Sequence, residues 1–404
     1  MPTISPRFNA LFMTLVLVLS AHFFVGCTRI DHVYLTWQHD PRTTMTVNFQ
    51  SPEHYEALKL AYDTESHGGV AADYPLSAEG TVVRQIPGLR DERYIYHIEA
   101  TDLIPGETYY FVLSANGESV TDELRFRPLP PGDAPLRFIS GGDMTILPRA
   151  HQLTGLAGEN DPMFALIGGD IAYDNGKLSS AWVWDHWFAM WESNMVTSDG
   201  VMVPMVLAIG NHEVNDKEGT LQERAPFYYG FFAQGGLPYF SRQLRDDTLL
   251  IVLDSGHTIL HAEQIPWLDQ TLSDAQGFKN TIAVYHAPLY PSHRDFEDWR
   301  AVAGRENWLP IFDRYGLSVA FENHDHSFKR SKVLKGNQVS ETGTVYLGDG
   351  SFGVNPREAV DPGRWYLEKA SGTPHFWVVT IDQAGMHFKA ISQAEETLDE
   401  LTIE

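Results

Sequence analysis

Between Leu136 and Gly350, seven short apolar runs (LRFISGG, MFALIGG, MVLAIG, TLLIVLDS, TIAVYH, LSVAF and TVYLGDG) alternate with stretches of helical rhythm. Strands interleaved with helices constrain a chain to an α/β arrangement in which helices cover the faces of the sheets. Five of these runs close on side chains that can ligate a metal. They are ISGGDMT at Asp143, LIGGDIAY at Asp170 and Tyr173, AIGNHE at Asn211, His212 and Glu213, AVYH at His286, and FENHDH at His324 and His326. In open α/β sheets, functional groups gather just beyond the carboxyl ends of the strands. Several of the runs reach that end through glycine, which lets the chain turn sharply and approach a ligand closely. His324 and His326 stand two residues apart, so a strand there would aim both imidazoles to one side, one for each of two metal ions. Among 17 histidines such a pair alone also fits a polar loop; five blocks, each closing a strand, argue for a metal centre.

Helical rhythm is expected over 179–193 (SSAWVWDHWFAMWES) and 306–316 (ENWLPIFDRYG). Trp182, Trp184, Trp187 and Trp191 fit either a substrate cleft or a packed helix face, and their spacing favours packing. Residues 28–130 have a different rhythm: short runs rich in Val, Thr and Tyr, with turn residues between them and no helical stretch. They predict a small all-β sandwich with Trp37 in its core. RPLPPGDAP (127–135) has four prolines in nine residues and reads as the link to the α/β domain, set at 135–395. Residues 396–404 are expected to form a C-terminal tail.

The formal charge of −24 excludes a basic nucleic-acid footprint. It also means that an anionic substrate needs local positive charge, which metal ions supply. At the N-terminus, Arg7 precedes the apolar stretch 10–25, which ends at Gly26-Cys27. That layout predicts a secretory signal over residues 1–27. Cys27 is the only cysteine, and its position resembles the lipobox of bacterial lipoproteins, with Phe24 where Leu, Val or Ile is usual. The expectation is an exported protein, lipid-anchored through Cys27 in the periplasm or at the cell surface, and otherwise secreted. A membrane enters only through that anchor.

Two resemblances sharpen this reading. LIPGETYYF is similar to the tyrosine corner of fibronectin type III domains, with Tyr109 at the corner. Residues 135–395 resemble the calcineurin-like metallophosphoesterases, specifically the purple acid phosphatase branch, whose blocks run GDxG, GDxxY, GNH(E/D), xxxH and GHxH. The resemblance implies a fold of two β-sheets flanked by helices behind a fibronectin type III-like sandwich. It also implies an acid phosphatase that hydrolyses phosphomonoesters, with metal-held hydroxide as nucleophile. Carried over by position, one metal would take Asp143, Asp170, Tyr173 and His326. The other would take Asp170, Asn211, His286 and His324, with Asp170 shared. Hard oxygen donors in the first set suit Fe(III), and the second set suits divalent Zn, Mn or Fe. Related branches place a histidine where Thr145 stands, so Tyr173 is the residue that selects the purple branch. The sequence departs from the blocks at Met144-Thr145 and at Asn323, where the family has glycine.

Around the ligands, His212 would bind the phosphate or protonate the leaving oxygen, and His293, in HAPLYPSH, would be the acid or a surface-loop residue. Arg149 would clamp a phosphate oxygen or be a solvated helix residue. Asp349 imitates a ligand block and is expected in a turn. A phosphodiesterase or nucleotidase would use the same centre, the choice resting on segments 174–200, 214–245 and 288–305. A reading of another class is a lipid-anchored binding module with a vestigial site.

Overall fold

The computed structural model describes residues 30–80, 82–91, 93–348, 350–357, 361 and 363–404. The expected signal segment with Cys27, and Asp349, lie outside the described residues. The first domain is a sandwich of two antiparallel sheets. One contains Asp31–Thr36, Met45–Ser51, Tyr94–Ala100 and Val82–Arg84; the other contains Leu76–Glu79, Leu58–Asp63, Tyr109–Ala115, Glu118–Ser119 and Leu124–Phe126. Met45, Val47 and Phe49 alternate into the sandwich core beside the buried Trp37. The Tyr109 hydroxyl accepts the Ile104 N–H at 2.9 Å, which ties down the turn before its strand. The opposite face of the first sheet is buried too, because the second domain covers it. Tyr34 and Thr36 donate their hydroxyls to the carbonyls of Phe231 and Ala233, both at 2.7 Å. Polar side chains facing a domain interface are thereby satisfied instead of orphaned.

The second domain packs a six-stranded sheet against a seven-stranded one. The six-stranded sheet runs Met205–Leu207, Phe164–Ile167, Leu136–Gly141, His375–Ile381, Met386–Ser392 and Thr397–Ile403. The seven-stranded sheet runs Phe240–Arg245, Thr248–Val252, Asn280–Tyr285, Val319–Glu322, Val345–Gly348, Phe328–Ser331 and Leu367–Ser371. Phe138, Phe164 and Leu166 meet Val284, Phe321 and Leu347 in the core between them. Helices Pro148–Gly158 and Ala181–Asn194 cover the outer face of the first sheet, and His261–Asp274 and Leu309–Tyr315 that of the second. Strands that close on ligands are parallel within each sheet: Leu136–Gly141, Phe164–Ile167 and Met205–Leu207 in one, Asn280–Tyr285 and Val319–Glu322 in the other.

Three expectations need correction. Trp184, Trp187 and Trp191 are buried as a packed helix face, but Trp182, on the opposite side of the helix, is 55% exposed. The helix expected over 306–316 is two helices, Trp299–Asn307 and Leu309–Tyr315. Pro310 has no N–H to continue the first and is well placed in the opening turn of the second. Residues 396–404 are not a tail, because Thr397–Ile403 forms the edge strand of the six-stranded sheet. Its buried Asp399 pairs with Arg330 and Lys369 of the other sheet and clamps the two edges together.

Candidate metal centre

The carboxyl ends of the parallel strands converge because the two sheets are stacked. Past their last paired residues, the chain segments remain linked to each other. Asp143, Met144 and Thr145 donate their N–H groups to the carbonyls of Gly169, Asp170 and Ile171 at 3.0, 2.9 and 2.8 Å. Five of the seven expected ligands sit in the left-handed backbone region: Asp143, Asp170, Tyr173, His324 and His326, with φ between 52° and 72°. That conformation is uncommon outside glycine and costs most for a bulky residue such as Tyr173. Strain concentrated at one place is held by the surrounding structure, and here that structure is visible.

Glu213 is the principal brace. Its fully buried carboxylate accepts the N–H groups of Asp170 and Gly210 at Oε2, both at 2.8 Å, and that of Ile171 at Oε1, at 2.7 Å. Burial, with Asp170 and Asp174 nearby, pushes this carboxyl up to about 8. Asn323 explains one departure from the family blocks. Its amide lies where a Cβ on Gly142 or Gly168 would stand, 2.3 and 1.8 Å from the ideal Cβ positions. The side chain therefore fills the space between two other motif loops, and glycine is required on their side instead of its own. It also donates to the Tyr285 carbonyl at 3.1 Å.

The expected ligands come together as two overlapping groups. Asp170, His286 and His324 form one, and Asp143, Asp170 and His326 the other, each with its ligand atoms within 4.8 Å of one another. Asn211 Oδ1 lies 3.2 Å from His286 Nε2, and His324 Nδ1 lies 3.0 Å from the same nitrogen. The Tyr173 hydroxyl is 3.3 Å from both Asp143 Oδ1 and His326 Nε2. His286 Nδ1–H donates to the Gly168 carbonyl at 2.9 Å, which turns Nε2 toward the centre.

The donor set fits cations. Asp143 and Asp170 are fully buried, and among the described residues no Lys or Arg pairs with either. Asp170 Oδ2 has no hydrogen-bond partner, although His286 Nε2 is 3.1 Å away. Two buried carboxylates with no Lys or Arg beside them are costly unless cations, protonated imidazoles or metal ions, sit among them. The titration directions agree. Burial would raise Asp170, but His286 overrides it and holds the carboxylate down; burial and the charge of His286 keep His324 neutral. Burial and the Asp143 and Asp170 carboxylates push the Tyr173 phenol far up, so a phenolate there requires strong positive charge beside it.

His212 joins the centre without joining either group. Its Nδ1–H donates to Asn175 Oδ1 at 2.6 Å, its ring stacks on Tyr173 at 4.1 Å, and its Nε2 lies 3.9 Å from Asp170 Oδ2. Burial lowers its pKa. The His293 N–H is held at 2.8 Å by Asp325, the residue between the two histidine ligands, so its loop is anchored to the H-x-H turn. Arg149 is not aimed at the centre. Its guanidinium is bound to Gln393, Val354 and Asn355, each at 3.0 Å, and ties its helix to the adjoining loop. The phosphate-clamp expectation for Arg149 is therefore corrected: its Nε and Nη1 already bond within the fold.

Sequence reasoning missed three contributors. Glu213 was visible in AIGNHE, but nothing local shows that it braces a loop some forty residues earlier. Asn175 has no sequence signal. His257, buried with its ring 5.4 Å from that of His286, follows TLLIVLDS, a strand end that carries no ligand of its own.

Comparison with known proteins bears on all of this. Residues 30–127 match the family model described as the purple acid phosphatase N-terminal domain, and residues 145–328 match that of the calcineurin-like phosphoesterases. An uncharacterized protein of Mycobacterium tuberculosis is 27% identical over 368 residues, 79% of this chain and 65% of the relative. Purple acid phosphatase 15 of Arabidopsis thaliana is 24% identical over 311 residues, 67% of this chain and 56% of the relative. The chain thus spans less than two thirds of the length of either. Among solved structures, a purple acid phosphatase from yellow lupin seeds superposes with a TM-score of 0.79 at 18% identity, covering 93% of this chain and 74% of that one. PhoD superposes with a TM-score of 0.68 at 12% identity, covering 92% and 88%. At these identities the likeness is one of fold.

Proposed function

Because the chain belongs to the purple acid phosphatase branch of the calcineurin-like phosphoesterases, we propose that it is an exported dinuclear-metal hydrolase of phosphomonoesters. The observation that carries this reading is the pair of ligand groups sharing one fully buried carboxylate, that of Asp170, which no Lys or Arg among the described residues pairs with. Asp143, Asp170, Tyr173 and His326 would hold Fe(III), and Asp170, Asn211, His286 and His324 a divalent Zn, Mn or Fe. Two such ions, when bound, supply concentrated positive charge and an acidified water.

The chain's own residues do the rest. Asn175 fixes the His212 ring so that Nε2 faces the centre, where in the imidazolium form, favoured on the acid side of neutrality, it would give its proton to the leaving oxygen. Tyr173 packs flat on that ring and prevents it from swinging out. His293 is a second proton donor in this reading, carried by the loop that Asp325 anchors. Export rests on the apolar stretch before Cys27, with lipidation of that cysteine as the anchor. Among the described residues, no helix is long and apolar enough to cross a membrane.

The test is metal content of the purified protein, with turnover of 4-nitrophenyl phosphate and bis(4-nitrophenyl) phosphate side by side. About two transition-metal ions per chain and faster monoester turnover are expected. Faster diester turnover would move the reading to a phosphodiesterase. No metal and no turnover would leave a binding module.

A further inference from the structure

A cavity of about 510 Å³ opens beside Asn211 and runs between the loop 214–219 and the start of the helix Trp299–Asn307. In a chain of formal charge −24, its wall carries a slight excess of positive charge: Arg224, Lys217 and Arg300 line it against Asp216 and Glu218, beside His257, which burial keeps neutral. These groups are not equivalent. Arg224 is committed, its guanidinium donating to the carbonyls of His257 and Thr258 at 2.5 and 2.9 Å. Arg300 is not. Its Nε is buried without a hydrogen-bond partner, and among the described residues no carboxylate lies within ion-pair distance of its guanidinium. It is nevertheless held in place, because the guanidinium stacks over the Trp299 ring at 4.3 Å. An arginine positioned by stacking, with no carboxylate paired to it and lining a cavity that starts at an expected metal ligand, is placed to receive an anion.

We propose that Arg300 is a phosphate-positioning residue that makes the centre selective for phosphomonoesters over phosphodiesters. The inference rests on the hydrolase reading above and deepens it. A monoester carries about −1.5 to −2 charge and three terminal oxygens near neutral pH. A diester has one charge and one terminal oxygen fewer. A guanidinium fork standing outside the ligand set therefore grips an oxygen that the monoester offers and the diester has already esterified. Sequence reasoning placed substrate choice in segments 174–200, 214–245 and 288–305, and the cavity lining includes residues of the last two and none of the first. Arg300 itself carries no sequence signal, since an arginine in the first turn of a helix is ordinarily solvated.

The test uses metal-loaded full chain and three variants. Arg300→Gln removes the charge and the fork, and Arg300→Lys keeps the charge alone. Arg314→Ala removes an exposed charge paired with Asp269 and serves as the control for net charge. Binding of inorganic phosphate is measured by calorimetry, independently of turnover, with metal content checked in each. Arg300→Gln should weaken phosphate binding, and raise KM for 4-nitrophenyl phosphate, by about ten- to a hundredfold, the scale of a lost charge-assisted hydrogen bond. Its metal content should match the parent. Arg300→Lys should recover part of the loss, and Arg314→Ala should stay within twofold. Constants for bis(4-nitrophenyl) phosphate should change less than threefold in every variant. Unchanged phosphate affinity in Arg300→Gln, or equal losses on both esters, would overturn the proposal. If the parent hydrolyses neither ester yet binds phosphate in an Arg300-dependent way, the hydrolase reading fails and the anion site stands. If it hydrolyses monoesters and Arg300→Gln does so equally well, only the Arg300 inference fails.

Discussion

Replacing Glu213 tests whether the ligand loops are held by a brace or merely by their strands. In Glu213→Ala, three buried N–H groups, those of Asp170, Ile171 and Gly210, lose their acceptor. Each orphaned donor costs about 1–3 kcal/mol, and water entering the vacated space recovers part of it. A loss of about 4 kcal/mol is expected, which for a domain of this size lowers Tm by about 10 °C. Glu213→Gln is subtler. One carboxylate oxygen serves two donors and the other serves one, so the amide should turn its oxygen toward Asp170 and Gly210 and oppose its NH2 to the Ile171 N–H. One lost bond then costs about 1–2 kcal/mol, or about 4 °C. Asp170 belongs to both ligand groups and sits at a φ of 52°, so loosening its backbone should weaken both metal sites about tenfold or more. Thermal unfolding of the metal-free protein, followed by circular dichroism, gives the stability term. Equilibrium dialysis with elemental analysis gives the metal term. The reasoning is refuted if Glu213→Ala unfolds within 2 °C of the parent, or if it holds both metals with affinities within twofold.

His212→Ala should cut turnover by about 10²-fold or more while metal content stays at the parent level; loss of metal would make His212 a ligand instead. With iron loaded, the parent should show a broad visible absorption band that Tyr173→Phe abolishes without unfolding the protein, and a spectrum unchanged by the substitution would remove Tyr173 from the ligand set. At the domain interface, burial lowers the pKa of His32, but Asp185 and Glu192 outweigh it and take the pKa from 6.5 to about 9. That stabilisation is complete below pH 6.5 and disappears as pH rises through 9, so the parent should lose about 1–2 kcal/mol of urea stability across that window after allowance for screening at the partly exposed partners. His32→Gln should lose correspondingly less, and equal losses in the two proteins would sink the assignment.

Much of this protein is written locally. Hydrophobic period, turn residues and the proline-rich link are nearest-neighbour properties. They separate an all-β sandwich from an α/β domain and mark which strand ends carry ligands, because a side chain's place at a strand's end depends only on its own segment. The tertiary structure decided what depends on distant segments meeting. Thr397–Ile403 is an edge strand because it finds Met386–Ser392 to pair with, and its Asp399 meets Arg330 and Lys369 across the stacked sheets. Asn323 replaces a glycine because its amide fills space left by Gly142 and Gly168. Arg149 and Arg300 are both arginines in the first turn of a helix, yet the first is bound by Gln393, Val354 and Asn355, and the second, which no carboxylate among the described residues pairs with, lines a cavity. No local pattern distinguishes them, because what separates them is which groups the rest of the chain brings within reach.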